Sequence, residues 1–455
     1  MKKNFVLLLF FICCSGQQTN NEENLNTTNS ENIQNENNKE PTQKEQETNF
    51  YINEKNNPII KDLYFNSLKN CIDFIGSLHK VDCLNSYDVI KTLQFDDAVV
   101  NIYKAKNFLY IVLKDGNIFE YNFADQNLRK IFTAQDIQTI QETGLLSFAI
   151  NIQYDEFVVS YVNTNFKLVV DKYKFKEDIA DHIYTSQIFS QQLREPYTHI
   201  GGNVIWSDYY NTYLLSVGDN QEANAFSRIN SDPLDTSIQL GKILALENAT
   251  IESPLIYSKD INEKLTNIVA YGLRSPWQFF EYNGYLAVFD VGLSIHEELT
   301  ISKLSNKSVS HGWPIFEGGS KSETIDSIEN YEIEITYVLN NSKLNYKESL
   351  IQLESESLMP NFFYSHFPTE NDYRGAIIGG DIILDDNSVY DLNIVSSDII
   401  TNELFLYDIQ DASIKIVPPP TSDRATITNI RSLNNNFSDL VIGTFEGKVI
   451  FLNLP

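Results

Sequence analysis

The run Phe108-Leu-Tyr-Ile-Val-Leu113, the turn Asp115-Gly116 and the run Ile118-Phe-Glu-Tyr-Asn-Phe123 together decide the fold class. Two short segments rich in β-branched and aromatic residues flank a turn dipeptide, which is the pattern of an antiparallel hairpin. Ala98-Val-Val-Asn-Ile-Tyr103 supplies a further strand just before it. The same rhythm returns at Phe157-Val-Val-Ser-Tyr-Val162, Val204-Ile-Trp206, Tyr213-Leu-Leu-Ser-Val217 and Tyr285-Leu-Ala-Val-Phe289. It comes again at Leu392-Asn-Ile-Val395, Leu404-Phe-Leu-Tyr407 and Leu440-Val-Ile-Gly443, and then at Val449-Ile-Phe-Leu452 after Glu446-Gly447. Amphipathic helical stretches are few, with Ala134 to Thr143 the one modest candidate. Many short strands joined by regular turns imply an all-β sandwich, barrel or propeller.

The chain of 455 residues carries a formal charge of −27. That charge argues against nucleic acid and against direct adsorption to anionic lipid, since both need a cationic face. No two of the six His have the spacing of a helical HxxxH zinc pair, and GxSxG, GxxxxGK[ST] and GxGxxG are all absent.

Lys2 and Lys3 precede the apolar stretch Phe5 to Ile12, which is too short to cross a bilayer as a helix. Residues 1–14 are read as an export signal. The stretch ends in Cys13-Cys14-Ser15-Gly16, which resembles a bacterial lipoprotein signal with Cys14 as the lipidated residue; the alternative is a plain secretory signal. Residues 15–49 hold only two aliphatic side chains, Leu25 and Ile33, and ten Asn. Such a segment buries too little apolar area to offset chain entropy, so a disordered tether is expected before a body at 50–455. Cys71 and Cys83 are read either as one disulfide or as two buried thiols. The expectation is an extracytoplasmic protein, held at the membrane through an N-terminal lipid or else secreted.

Several segments stand apart from the strand rhythm. They are Glu142-Thr-Gly-Leu-Leu-Ser-Phe-Ala149, His199-Ile-Gly-Gly-Asn-Val-Ile-Trp206 with Leu215-Ser-Val-Gly-Asp219, Leu240-Gly-Lys-Ile-Leu244, Tyr271-Gly-Leu-Arg-Ser-Pro-Trp277, Phe289-Asp-Val-Gly-Leu-Ser-Ile-His-Glu-Glu298 and His311-Gly-Trp-Pro-Ile-Phe-Glu-Gly318. In this order they resemble the glucose/sorbosone dehydrogenase family, over about two thirds of the chain. The resemblance implies a six-bladed β-propeller. At about 68 residues per blade, much of the chain then lies in long loops.

The resemblance further implies a sugar dehydrogenase using pyrroloquinoline quinone (PQQ) and Ca²⁺, and passing electrons to a quinone or cytochrome. His199 matches the catalytic base, a role that suits an imidazole near neutral pH. Gly201-Gly202 beside it would let backbone approach a flat cofactor. Glu142, Arg274 and Ser275 match cofactor-facing positions, and a guanidinium suits carboxylate and quinone oxygens. The backbone carbonyls of Gly292 and Leu293 match the calcium loop. Glu297-Glu298 is read as holding that loop, as binding a separate ion, or as two solvated acids. Trp277 and Trp313 are read as blade packing, and Tyr197 and Phe316 stay undecided. Two departures stand out: Ser275 replaces the usual Asn, and Ser396-Ser-Asp398 stands where some members carry a Lys. The alternative to an enzyme is a cell-surface propeller of the same fold that binds carbohydrate or protein.

Overall fold

A computed structural model describes residues 81–83, 87–220, 233–247, 256–259, 265–293, 295–318, 320–321, 336–339, 342–345, 357–366, 374–384, 392–409, 413–419, 425–433 and 439–454. The expected export signal at 1–14, the tether at 15–49, Cys14 and Cys71 lie outside these residues. No helix among the described residues is long and apolar enough to cross a membrane.

Six sheets follow one another along the chain. Blade 1 holds Val99–Ala105, Phe108–Leu113, Asn117–Asn122 and Leu128–Thr133, and blade 2 holds Leu145–Asn151, Glu156–Val162, Lys167–Phe175 and His182–Gln192. Blade 3 is built on Gly201–Ser207, Thr212–Val217, Lys242–Ala245 and Leu265–Tyr271, and blade 4 on Pro276–Tyr282, Tyr285–Asp290, His296–Lys303 and Phe362–Ser365. Blade 5 uses Ile377–Leu384, Leu392–Asp398, Leu404–Asp408 and Ile414–Val417, edged in parallel by Val81–Cys83. Blade 6 uses Ile427–Ser432, Leu440–Thr444 and Lys448–Asn453. Its outermost strand, Asp88–Gln94, comes from the other end of the body and pairs with Lys448–Asn453. This pairing joins the two ends of the ring, and closure of this kind removes the open edges that a β protein must otherwise protect.

The first strand of each blade touches the first strand of the next, and that of blade 6 touches that of blade 1. These six strands therefore line the axis of a six-bladed propeller. Apolar side chains pack between blades; Phe148, Phe157 and Tyr110 join blades 1 and 2, and Ile205, Phe279 and Val288 join blades 3 and 4. The expected helix at Ala134 to Thr143 does not form. That segment crosses from blade 1 to blade 2, bridges through Ile137 to Asn163, and takes left-handed φ at Asp136 and Gln141.

A repeat invisible in the sequence organises the axis. In every blade the first strand slips register against the second near its start. Such bulges turn side chains out of the ladder. At or just after the slip come the buried Asn101, Ser147, Asn203, Gln278 and Asn429 and the half-buried Asp381. Asn101 and Ser147 both donate to Asn203 Oδ1 at 3.1 Å, although blades 1 and 3 are not neighbours. Arg431 donates to the carbonyls of Ile102 and Gly380. Polar side chains thus fill the channel, and the residues that lead into the first strands gather at one mouth.

Candidate active site

Glu142, His199, Arg274 and Arg374 each sit two or three residues before the first strand of blades 2, 3, 4 and 5. Ring closure brings such residues together. His199 and Arg274 lie side by side: Arg274 Nη2 is 3.0 Å from His199 Nε2. On the other edge of the ring, His199 Nδ1 is 2.9 Å from Asp219 Oδ1. Asp219 follows the second strand of blade 3 by two residues, and its Oδ2 accepts from Trp313 Nε1 at 3.0 Å. The Arg274 guanidinium lies 5.8 Å from the Trp313 ring centroid, within cation–π range. All four side chains are buried.

The backbone that presents them is tightly held. His199 has φ +52, a left-handed conformation rare for a residue with a Cβ. Its carbonyl accepts from Asn220 N, and the Asp219 N–H donates to the Arg274 carbonyl at 2.7 Å. Asp290 fixes the other side: its two oxygens accept the backbone N–H groups of Arg274 at 2.9 Å and Ser275 at 2.7 Å. Burial pushes the Asp290 carboxyl up to about 7, against those two hydrogen bonds and the Arg274 charge. Arg274 Nη1 donates to the Val291 carbonyl at 2.9 Å. Glu142 is half-buried beside His199; burial raises its carboxyl, while His199, the amides of His199 and Ile200, and Arg274 pull it down.

Gly201 and Gly202 also meet a packing demand of the fold itself. Both take positive φ, +72 and +88, and a Cβ on Gly202 would lie 2.4 Å from Leu146 Cδ1. Gly202 lets blade 3 turn in against blade 2, while Gly201 clears the Ser216 carbonyl of the next strand of its own blade.

The loop after Asp290 is organised by carboxylates. Glu317 Oε1 accepts from the amides of Leu293, Ile295 and His296 at 2.9, 2.9 and 3.1 Å. Gly292 donates to Glu297 Oε2 at 3.3 Å, and its own Cβ would fall 1.7 Å from the His296 carbonyl oxygen. Glu297 is fully buried and Glu298 half-buried, which rules out two solvated acids. Among the described residues no three His, Cys, Asp or Glu side chains are arranged to hold a metal.

Trp277 packs against the blade 5 and 6 core and donates to the Thr428 carbonyl. Trp313, read from sequence as packing, is buried and also anchors Asp219. Tyr197 stacks on Phe166 at 4.1 Å, and Phe316 is a buried core residue. Ser396, Ser397 and Asp398 are buried, and Asp398 accepts from Tyr364 Oη and the amides of Gly375, Ile400 and Thr401. Sequence reading assigned no role to Asp219, Glu317 or His366. The first two lie inside quoted motifs, but His366 lies in none.

His311, in the same motif as Trp313, is buried with neither ring nitrogen hydrogen-bonded. Burial lowers its pKa from 6.5 to about 4. The unfolded chain therefore takes up that proton first. Stability present above about pH 6.5 is lost as pH falls toward 4, on the order of 3 kcal/mol for this one group. His311→Phe is expected to remove that component. Urea midpoints at pH 7 and pH 4.5 test it: the variant should lose less on acidification than the wild type, and equal losses would count against the assignment.

Residues 101–351 match the glucose / sorbosone dehydrogenase family. No curated protein sequence matches. Among solved structures, the PQQ-bound aldose sugar dehydrogenase of Streptomyces coelicolor superposes with a TM-score of 0.56 at 11% identity, over 81% of this chain and 98% of that one. The apo form of the soluble aldose sugar dehydrogenase of Escherichia coli gives 0.52 at 15% identity, over 81% and 99%. At such identities these likenesses speak for the fold, and the family match covers more than half of the chain. The chain belongs to the glucose/sorbosone dehydrogenase family.

Proposed function

We propose that the protein is an extracytoplasmic aldose dehydrogenase that uses PQQ and Ca²⁺, anchored by lipid at Cys14. The observation that carries this reading is the row Asp219–His199–Arg274, with contacts of 2.9 and 3.0 Å. A neutral imidazole and a guanidinium side by side are a donor and acceptor set suited to a sugar hydroxyl and an anionic quinone. Arg274 and Ser275, with Glu142 nearby, would hold the cofactor. Oxygen ligation suits calcium, and the Gly292–Leu293 main chain lies among the buried carboxylates Asp290, Glu297 and Glu317 and the half-buried Glu298. When bound, PQQ supplies the two-electron acceptor.

The rest of the chemistry belongs to the chain. A carboxylate only accepts and a guanidinium only donates, so these neighbours fix the His199 tautomer: Nδ1 carries the proton and Nε2 the lone pair. Nε2 is then the atom that takes the proton from the anomeric hydroxyl. Asp219 stabilises the imidazolium that forms, and Trp313 keeps Asp219 from turning away. Burial of the group excludes water and strengthens each of these interactions.

The test is reduction of a dye by an aldose after loading with PQQ and Ca²⁺. No reduction across a broad panel of sugars, with PQQ shown to be bound, would sink the proposal. The lipid anchor is tested separately, by whether Cys14→Ala releases the protein from the membrane fraction. One feature favours the alternative, a binding propeller without catalysis: the sequence has Ser396-Ser-Asp398 where some members carry a Lys, and Asp398 there accepts from Tyr364. That reading is marked by a folded protein with no heat of PQQ binding.

Asp219→Asn is expected to lower kcat by about 10²–10⁴-fold, the scale of loss when a catalytic imidazole is held in the wrong tautomer. Because Asn presents an N–H as readily as an oxygen, fold and PQQ affinity should persist. Steady-state kinetics beside a PQQ titration separate the two effects.

A further inference from the structure

We propose that Arg274 caps the proton-accepting nitrogen of His199, and that a planar anion releases the cap by taking over the guanidinium. The identity of that anion as PQQ rests on the function proposed above; the cap itself does not.

Both ring nitrogens of His199 are committed. Nδ1 donates to Asp219 Oδ1 at 2.9 Å, and Nε2 accepts from Arg274 Nη2 at 3.0 Å. While the second contact persists, the imidazole has no lone pair to offer a substrate. Protonation at Nε2 would set one N–H against another at that distance, between two cations. The guanidinium therefore leaves before His199 takes a proton.

The surroundings show which part of Arg274 moves. Its backbone N–H is held by Asp290 and its carbonyl by Asp219 N. Nη1 is tied to the Val291 carbonyl, and the guanidinium faces the Trp313 ring. The main chain stays, and a small swing of the guanidinium about the Nη1 contact frees Nε2. The driving force is the choice of acceptor. An anionic oxygen adds full charge–charge attraction, and room for a bidentate fork, to the bond a guanidinium makes; a neutral imidazole nitrogen offers neither. A carboxylate or quinone oxygen within reach of Nη2 thus outcompetes the neutral imidazole. The base is exposed only when a cofactor is present to receive the electrons, so proton uptake and electron transfer are licensed by one event.

The experiment is ¹⁵N spectroscopy of the histidine side chains in the full-length protein. The His199 signals are identified by their absence from His199→Asn. In the cofactor-free wild type, the proton is expected on Nδ1, with Nε2 displaced upfield as an accepting nitrogen. In cofactor-free Arg274→Met, which keeps length but loses the donors, Nε2 is expected to move downfield to the position of an unbonded nitrogen. The other histidine signals report that the fold is intact. Arg274→Lys is the second variant should Met not fold; a shorter cation without the fork should also leave Nε2 displaced downfield from its wild-type position.

Saturating PQQ, followed by its own absorbance, should move the wild-type Nε2 signal in the same direction as Arg274→Met does. Identical Nε2 positions in the wild type and the folded variants overturn the cap. Bound PQQ that leaves Nε2 unmoved overturns the release. PQQ that does not bind overturns the release together with the proposed function, while the variants in the cofactor-free protein still decide the cap.

Discussion

His199→Asn is expected to reduce sugar-dependent dye reduction by about 10²–10⁴-fold, the usual contribution of a positioned general base. The loss should fall on kcat. His199 reaches its neighbours through its ring, so the variant removes the Nε2 lone pair and leaves the main-chain contacts with Asn220 in place. PQQ binding is expected to persist, because Arg274 keeps its ties to Val291, Asp290 and Trp313. Single-turnover absorbance of the bound quinone, with and without sugar, separates chemistry from binding. A variant that binds PQQ and still turns over within tenfold of the wild type would remove His199 from the mechanism. Loss of PQQ binding along with activity would instead make it a ligand-holding residue.

The strands were legible because their pattern is local. Phe108-Leu-Tyr-Ile-Val-Leu113 and Asp115-Gly116 declare a hairpin without help from the rest of the chain, and the hairpin forms there. The segment Ala134 to Thr143 misled for the opposite reason. Its apolar positions answer to two blades and a bridge to Asn163, not to one helical face. His199 and Arg274 could be named from motifs. Their contact could not, since it depends on ring closure between residues 75 positions apart. Asp219 shows the intermediate case: its place in a motif was visible, but its role follows only from the 2.9 Å contact with His199. His366 had no sequence signal. It matters through a hydrogen bond to Glu297, 69 positions away.

That hydrogen bond underlies the largest expected effect on stability. Glu297 is fully buried and accepts from His366 Nε2 at 2.6 Å, Ala376 N at 2.8 Å, Ile377 N at 2.9 Å and Gly292 N at 3.3 Å. Burial alone would raise its carboxyl, but the His366 charge and hydrogen bond, with the amides of Ile377 and Ala376, hold it below the usual range. The carboxylate joins the third strand of blade 4, the first strand of blade 5 and the loop at Gly292. Glu297→Ala leaves an imidazole and three amides buried without their acceptor. Each such group costs about 1–3 kcal/mol, and breaking a buried ion pair costs about 3–5 kcal/mol. A loss of at least about 4 kcal/mol is expected, lowering Tm on the order of 5–10 °C. The neighbouring Glu298→Gln should behave in the opposite way. Burial and then Asp290 push the Glu298 carboxyl well above the usual range, so replacing it by a neutral amide removes little favourable charge. Gln has nearly the same shape and keeps an oxygen to accept from Gly318 N. A change under about 1 kcal/mol is expected for it. Chemical denaturation of the two variants side by side is the measurement. Equal effects would mean that Glu297 is no keystone and that adjacency in sequence, not the four converging donors, governs this pair.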